Sequence, residues 1–167
     1  MTADQLLAKA GLRCERVTNL CQVERLRRIR NVCRDGFSHH TGEIDQTRQA
    51  DWWLFNEPHL RIWLYGDITE VEGAYLGFAM ARQDEHGDWW ATIAVLPEYR
   101  GLGYGKTLTA HLVRVAGVPL NGQARKDNPA AVKLHVAEDW DEVTCSDSLL
   151  RQFHAKALVD DVEGVPV

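Results

Sequence analysis

Hydrophobic residues recur every three or four positions in several segments of the chain, which is the spacing of one face of a helix. The first such segment spans residues 20–36 and the second spans 45–55. A third predicted helix follows a glycine-rich segment and ends at Gly117, and a fourth begins at Asn128-Pro129, where Asn favours the N-cap and Pro the first helical position. In the first helix the apolar positions are Val23, Leu26, Ile29 and Cys33.

Other segments have the short alternating or continuous apolar pattern of strands and are bounded by turn-forming residues. Seven strands are predicted, and only short turns separate the second, third and fourth, which favours an antiparallel meander. The predicted strands cover residues 12–17, 60–65, 74–82, 88–95, 118–125, 142–145 and 152–159.

This order of elements predicts an α/β (α+β) fold with a central mixed, mostly antiparallel twisted sheet. The sheet has about seven strands, and about four helices cover both of its faces. We expect residues 1–167 to form one domain, because domains mostly contain about 100–200 residues, and residues 160–167 to form a loose C-terminal tail.

Composition narrows the class of protein. The chain has 24 acidic and 19 basic residues, a formal net charge of −5, and 45% apolar residues, which is a globular mixture rather than a disordered one. The acidic balance disfavours nucleic-acid binding through bulk charge, and no apolar run is long enough for a membrane helix. The start of the chain does not resemble a signal peptide, and the four cysteines form no C-x-x-C pair. We therefore expect reduced thiols, no metal, no membrane partner and a cytoplasmic location.

The densest chemical signal is the glycine-rich segment Arg100–Thr107, which follows a predicted strand and opens a predicted helix. Glycines at this spacing allow backbone N–H groups to converge on an anion, and the helix N-terminus adds a favourable dipole. A Walker A loop would require glycine at position 100, which is Arg100. The G-x-G-x-x-G dinucleotide motif would require glycine at position 106, which is Lys106.

A third phosphate-binding motif does match. The pattern Arg100-x-x-Gly103-x-Gly105 resembles the R/Q-x-x-G-x-G/A motif of the GNAT acyl-CoA N-acyltransferases. The predicted order of elements resembles that family over nearly the whole chain. Residues 128–135 also match most of the family's second motif, N-x-x-A-x-x-L-Y, with His135 in place of tyrosine.

The resemblance implies that acetyl-CoA is the cosubstrate. The strand before the loop would pair with the pantetheine arm, and the loop amides would bind the pyrophosphate. Lys106 would add charge or simply be a solvated lysine, and Asn128 would either bind the pantetheine or cap its helix. The implied acetyl-CoA-binding residues are Ile93, Ala94, Val95, Arg100, Gly101, Leu102, Gly103, Tyr104, Gly105, Lys106, Asn128 and Ala131.

The resemblance also implies direct attack of an amine on the acetyl thioester, with a backbone N–H polarising the carbonyl. His135 is the candidate general acid, and the alternative is a structural histidine. The two positions where relatives often keep a glutamate base are Trp89 and Gln123, which cannot act as bases. Asp88, acting through water, is the candidate base, and Glu98, His86 and Asp45 are alternatives.

Relatives recognise the acceptor amine with the first two helices and the loop between them. In this chain the segment Gln49–Trp53 has a weak similarity to acetyltransferases of nucleotide-linked amino sugars. At least one tryptophan of that segment is expected in the core. The arginines of the first helix could bind an anionic acceptor, although a solvated face paired with Glu24 is favoured. The candidate acceptor-binding residues are His39, His40, Gln49, Trp52, Trp53 and Trp90.

The predicted function is therefore acetyl transfer to a primary amine on a small polar molecule. This class includes molecules linked to a nucleotide or a sugar. Acetylation of an amine on a protein or a modified base, and a non-catalytic acyl-CoA-binding module, are the alternatives. A homodimer is common in the family and is expected as a partner arrangement.

Overall fold

A computed structural model describes residues 1–39 and 41–157. His40, the end of the last predicted strand and the predicted tail lie outside the described residues. The helices are α1 (Ala3–Lys9), α2 (Leu20–Cys33), α3 (Gln46–Asn56), α4 (Tyr104–Ala116) and α5 (Pro129–Ala137). The strands are β1 (Leu12–Arg16), β2 (Leu60–Asp67), β3 (Gly77–Gln83), β4 (Trp89–Val95), β5 (Leu120–Arg125), β6 (Asp141–Val143) and β7 (Leu150–Ala155).

The strands form one seven-stranded mixed sheet in the order β1-β2-β3-β4-β5-β7-β6. Strands β1 to β4 are antiparallel neighbours, β4 and β5 are parallel, and β5, β7 and β6 are again antiparallel. The predicted fold class and the predicted meander are therefore confirmed.

The helix that the sequence pattern missed is α1. Seven residues make barely two turns, which is too short for a periodic signal. A capping box begins it, because the Thr2 hydroxyl accepts from the Gln5 N–H and the Gln5 side chain accepts from the Thr2 N–H. Its buried Leu7 packs into the core, so tertiary contact stabilises a helix that is weak by itself.

The predicted third strand begins later than expected, at Gly77 rather than at Ala74. The Arg13 guanidinium on β1 donates hydrogen bonds to backbone carbonyls of the preceding loop, and these include the carbonyls of Val71 and Ala74. The loop is thus held by a side chain from another strand, which a local pattern does not indicate.

Each face of the sheet has its own core. On one face α1 and α4 pack against a cluster that includes Trp63, Tyr65 and Leu112, and α5 joins it through Ala131 and Val132. On the other face α2 and α3 cover a second cluster. Its larger members are Leu26, Ile29, Trp53, Ile62, Leu64 and Phe78.

Two arginines of α2 form ion pairs within the helix. Glu24 accepts from Arg27 at 2.7 Å and from Arg28 at 3.0 Å. The hydrogen bond from Arg27 is the largest of the causes that lower the pKa of Glu24 to about 2. This arrangement agrees with the interpretation of a solvated, paired face.

Candidate active site

A gap between β4 and β5 is the feature around which the candidate site is built. The parallel pairing of these strands is limited to Trp90 and Asn121, near their N-terminal ends. The Asn121 side chain strengthens that end by donating to the Trp89 carbonyl at 3.4 Å. Beyond this pair the strands are not joined by a described ladder, so the sheet opens toward their C-terminal ends, where the glycine loop and α5 begin.

The backbone of β4 presents polar groups to this gap. The Leu96 N–H donates to the Leu76 carbonyl on the β3 side at 2.8 Å. Because successive residues in a strand direct their backbone groups to opposite sides, Ile93 and Val95 direct theirs away from β3, into the gap. The Val95 carbonyl confirms this direction, since it accepts from Arg100 Nε at 2.9 Å.

The glycine loop suits a diphosphate. Gly101 and Gly103 have φ of +79° and +86°, and no atom lies within 4 Å of a Cβ built at either position. Helix α4 begins directly after Gly103 without a side-chain cap, so the N–H groups of its first turn have no intrahelical or capping acceptor. Open space and clustered backbone donors are the features that a diphosphate requires, and the residues present therefore fit coenzyme A.

Lys106 lies in the first turn of α4 and is mostly exposed. Its Nζ is 3.7 Å from Glu138 Oε1 at the end of α5. Burial raises the pKa of Glu138, against the opposing effect of Lys106. Lys106 also borders a cavity of about 750 Å³ between α4 and the end of α5. The lysine is therefore paired within the protein and adjacent to open space.

Both polar atoms of the Asn128 side-chain amide form hydrogen bonds within the protein. Its Oδ1 accepts from the Ala131 N–H at 3.2 Å, which caps α5, and its Nδ2 donates to the Gly36 carbonyl at 3.3 Å. The capping interpretation is thus realised in the structure. The bond to Gly36 adds a role that the sequence did not indicate, a link between α5 and the loop that follows α2.

His135 lies in the core, with 5% of its surface exposed. Its Nδ1–H donates to the Ala131 carbonyl at 2.8 Å, and its ring stacks on Phe153 at 4.7 Å. Burial lowers the pKa of His135, and the Ala131 bond opposes that effect. This placement argues against the predicted general acid, because burial favours the neutral ring and its one N–H proton is already bonded. The structure gives His135 the contacts of the alternative, a structural histidine.

Asp88 is exposed in the turn between β3 and β4. It precedes Ile93 by five residues, which is about 16 Å along an extended strand. The structure therefore does not bring the predicted base to the gap. Trp90, a predicted acceptor-binding residue on β4, bonds to the same turn. Its indole N–H donates to Asp84 at 2.8 Å, and this hydrogen bond lowers the pKa of the Asp84 carboxyl.

The predicted acceptor residues on α3 are buried or half-buried. Trp53 is buried among the residues under α2 and α3, and Gln49, one turn earlier, is 3% exposed. No described residue donates a hydrogen bond to Gln49 Oε1. Trp52 is half-buried against the same cluster. The expectation that one tryptophan of this pair lies in the core is confirmed.

The loop after α2 crosses to the far side of the gap. Besides the Gly36–Asn128 bond, the Asp35 carbonyl accepts from Arg125 at 3.3 Å, and His39 Nε2 lies 3.0 Å from Gln123 Oε1. Sequence reasoning placed His39 on the acceptor side and Gln123 at a former base position, but it did not join them. Only the long-range packing of loop and strand brings them together.

No helix in the described part of the chain is long and apolar enough to cross a membrane. Within the same residues, no three His, Cys, Asp or Glu side chains cluster closely enough to bind a metal ion.

Comparisons with known proteins identify solved structures that share this fold. None of the curated proteins matches the chain. Among solved structures, the putative acetyltransferase yncA from Salmonella typhimurium, determined with acetyl-CoA, has a TM-score of 0.68 at 12% identity, covering 93% of this chain and 99% of that one. Spermidine N-acetyltransferase from Vibrio cholerae, with CoA and spermine, has a TM-score of 0.68 at 13% identity, covering 89% and 96%. Ribosomal-protein-alanine N-acetyltransferase from Brucella melitensis has a TM-score of 0.67 at 19% identity, covering 86% and 99%.

These structural likenesses establish the fold, and the sequence comparison establishes the family. The model of the acetyltransferase (GNAT) family matches residues 23–137, which include most of α2, the whole meander, the glycine loop and α5. Because that match covers well over half of the chain, the protein belongs to the GNAT acetyltransferase family and is an acyl-CoA-dependent N-acetyltransferase.

Proposed function

We propose that this enzyme transfers the acetyl group of acetyl-CoA to a primary amine on a small polar molecule, such as one linked to a nucleotide or a sugar. The observation that carries the proposal is the gap between β4 and β5, with backbone groups of Ile93 and Val95 directed into it and the glycine loop at its end.

Acetyl-CoA supplies the acetyl group as an activated thioester. The Ile93 N–H is the proposed donor to the thioester carbonyl, where negative charge develops as the amine attacks. The amides of residues 101–106 are the proposed donors to the diphosphate, since Gly101 and Gly103 let the backbone approach without a side chain in the way. Binding at these two places would hold the thioester in the gap while the amine enters from the α2 and α3 face.

The small acceptor is favoured over a polypeptide by the loop that follows α2. Arg125 and Asn128 donate hydrogen bonds to backbone carbonyls of this loop, and Gln123 accepts one from His39. These bonds hold the loop against β5 and α5, which narrows the approach on that face. The spermidine enzyme from Vibrio cholerae, solved with spermine, is a structural neighbour of this kind. An identity of 13% shows a shared fold only, so the acceptor amine of this chain is proposed and not inferred from that enzyme.

An amine on a macromolecule is the second candidate, and the structural neighbour that acetylates ribosomal-protein alanine is the observation that favours it. A non-catalytic acyl-CoA binder is the third, because neither Trp89 nor Gln123 is a carboxylate. A cytoplasmic location and a homodimer stay predictions.

Release of free thiol from acetyl-CoA tests the proposal. The full chain is incubated with acetyl-CoA and either spermidine or a short peptide with N-terminal alanine. Faster release with spermidine supports a small acceptor, and faster release with the peptide supports the macromolecular one. Tight binding of acetyl-CoA without release with either amine contradicts catalysis and favours the binding module.

A matched pair of glycine variants tests the loop. Gly103 has φ of +86° and Gly87, in the β3–β4 turn, has φ of +87°, so alanine strains both positions equally. Only Gly103 faces the proposed diphosphate. We expect Gly103→Ala to weaken acetyl-CoA binding at least about tenfold, a loss of about 1.4 kcal/mol, with no change in Gly87→Ala. Equal effects in the two variants would mean that strain alone is measured.

A further inference from the structure

We infer that His39 is the proton acceptor for the incoming amine and that Gln123 positions it. The inference deepens the proposed function and rests on it. Among the candidate bases from the sequence, Asp88 and His86 are exposed in the β3–β4 turn, remote from the gap, and Asp45 caps α3. Glu98 is exposed in the turn after β4, and positions 89 and 123 are Trp89 and Gln123. The structure instead brings a histidine from the loop after α2 onto β5.

The contact defines the state of the imidazole. His39 Nε2 lies 3.0 Å from Gln123 Oε1. An amide oxygen only accepts, so Nε2 carries the hydrogen and Nδ1 keeps its lone pair. That tautomer is the one a general base requires, with one nitrogen fixed and the other able to take a proton.

The contact also places His39 beside the gap. Gln123 follows Asn121 by two residues, and Asn121 pairs with Trp90, so Gln123 is level with Thr92 and next to Ile93. The side chains of Leu120 and Ala124 are buried in the core on the α1 and α4 side of the sheet. Because side chains alternate along a strand, Gln123 lies on the opposite side, which α2 and α3 cover. His39 therefore lies at the height of the proposed carbonyl donor, on the face from which the amine enters.

The loop is held in place by bonds that do not involve His39 itself. The Asp35 and Gly36 carbonyls accept from Arg125 and Asn128, at 3.3 Å each. Two ion pairs lie on the elements that pack around the loop, and Asp35 of the loop itself adds a carboxylate close to Arg125. The two pairs are Arg125 with Asp127 on β5 and its following turn, and Arg34 with Glu43 on the loop.

Two protons leave the acceptor nitrogen during the reaction. The ammonium form of the acceptor gives one proton to His39 Nδ1, which passes it to solvent. The neutral nitrogen attacks the thioester carbon, the C–N bond forms and the C–S bond breaks. A second proton leaves the nitrogen and ends on the departing sulfur. The products are the amide, the free thiol of coenzyme A and one proton in solution.

The test compares His39→Ala with a matched control in the same chain. His59 is an exposed histidine whose Nδ1 lies 3.1 Å from Gln83 Oε1, and Gln83 pairs with Trp89 at the closed end of β4. We expect His39→Ala to lower kcat about 100-fold, the usual contribution of a general base, without changing the Kd of acetyl-CoA. His59→Ala should leave kcat and Kd unchanged.

Three readouts separate proton transfer from a structural effect. In His39→Ala the acid limb of the kcat–pH profile should disappear, and added imidazole should restore part of the rate. Gln123→Glu should move the acid limb to higher pH, because a carboxylate stabilises the imidazolium, whereas Gln123→Ala should lower kcat without removing the limb. Thermal unfolding of each variant checks that the exposed substitutions leave the fold intact.

Thiol release is measured with spermidine and with the alanine peptide as acceptor amines, and each result supports or overturns the role of His39. Full kcat in His39→Ala overturns the role of His39 and leaves the proposed function standing. No thiol release by the unmodified protein with either amine overturns the proposed function and this inference with it. Equal losses in His39→Ala and His59→Ala also overturn it, because only one of these histidines lies at the gap.

Discussion

The buried histidine on α4 should make stability depend on pH. His111 is 2% exposed, and its Nδ1 is hydrogen-bonded at 2.8 Å to the hydroxyl of Tyr65, which is fully buried. The remaining nitrogen, Nε2, lies 3.9 Å from Cys14 Sγ. Burial lowers the pKa of His111 to about 4, the nearby Asp4 opposes that effect, and Arg114 adds to it. The neutral imidazole is therefore the form that fits the core.

The sign follows from comparing the two states. An unfolded histidine has a pKa of about 6.5, so between pH 6.5 and 4 the unfolded chain binds a proton that the folded chain does not. The contribution of His111 to the stability of the native state is complete above pH 6.5 and is lost as the pH falls toward 4. A difference of about 2.5 pKa units corresponds to about 3 kcal/mol in full, of which about 2 kcal/mol falls between pH 7 and 4.5.

The perturbation that isolates this effect is His111→Gln. Glutamine offers an amide oxygen to the Tyr65 hydroxyl but does not titrate. We expect the variant to be less stable at pH 7, because packing is lost, and the difference from the unmodified protein to shrink by about 2 kcal/mol at pH 4.5. Every other titrating group is common to both proteins and cancels in the difference.

Urea unfolding monitored by tryptophan fluorescence measures the free energy of unfolding at each pH. His86→Gln is the control, because His86 is exposed in the β3–β4 turn and its replacement should have little effect on the free energy of unfolding. Parallel pH dependences of His111→Gln and the unmodified protein would refute the reasoning, since they would mean that His111 accepts its proton equally well when folded.

Three further predictions concern α5 and its surroundings. Asn128→Ala should lower the free energy of unfolding by about 1 kcal/mol through the lost cap, and Asn128→Asp should restore the cap but not the bond to Gly36, as urea unfolding can show. Gly122→Ala should destabilise by about 1–3 kcal/mol, because its Cβ would come within 2.4 Å of His135 Nε2 and 2.8 Å of Trp140 Cζ3, and a double-mutant cycle with His135→Ala should remove the part of that cost that is due to the histidine. His135→Phe should leave kcat for thiol release within about twofold if the residue is structural, and a loss of about 100-fold would reinstate it as the general acid.

The sequence by itself determined the elements whose pattern is local. The apolar spacing of α2 and α3, the meander of β2 to β4, and the glycine loop with the α4 N-terminus were all visible in short windows. Their signals arise from helix and strand periodicity and from the backbone freedom of glycine, which do not depend on distant residues. The family motif lies in these same windows, so fold and acyl-CoA chemistry were both predictable from it.

What only the tertiary structure decided is which side chains meet. His135 was predicted at the right place on a helix, but its burial against Phe153 depends on where β7 lies in the sheet. Asp88 was predicted at the start of the fourth strand, and it lies directly before β4, at the end remote from the gap. The contact between His39 and Gln123 joins residues 84 positions apart, and no local pattern encodes it. Periodicity fixes which face of an element is apolar, whereas the orientation of a polar side chain follows from the packing of the whole sheet.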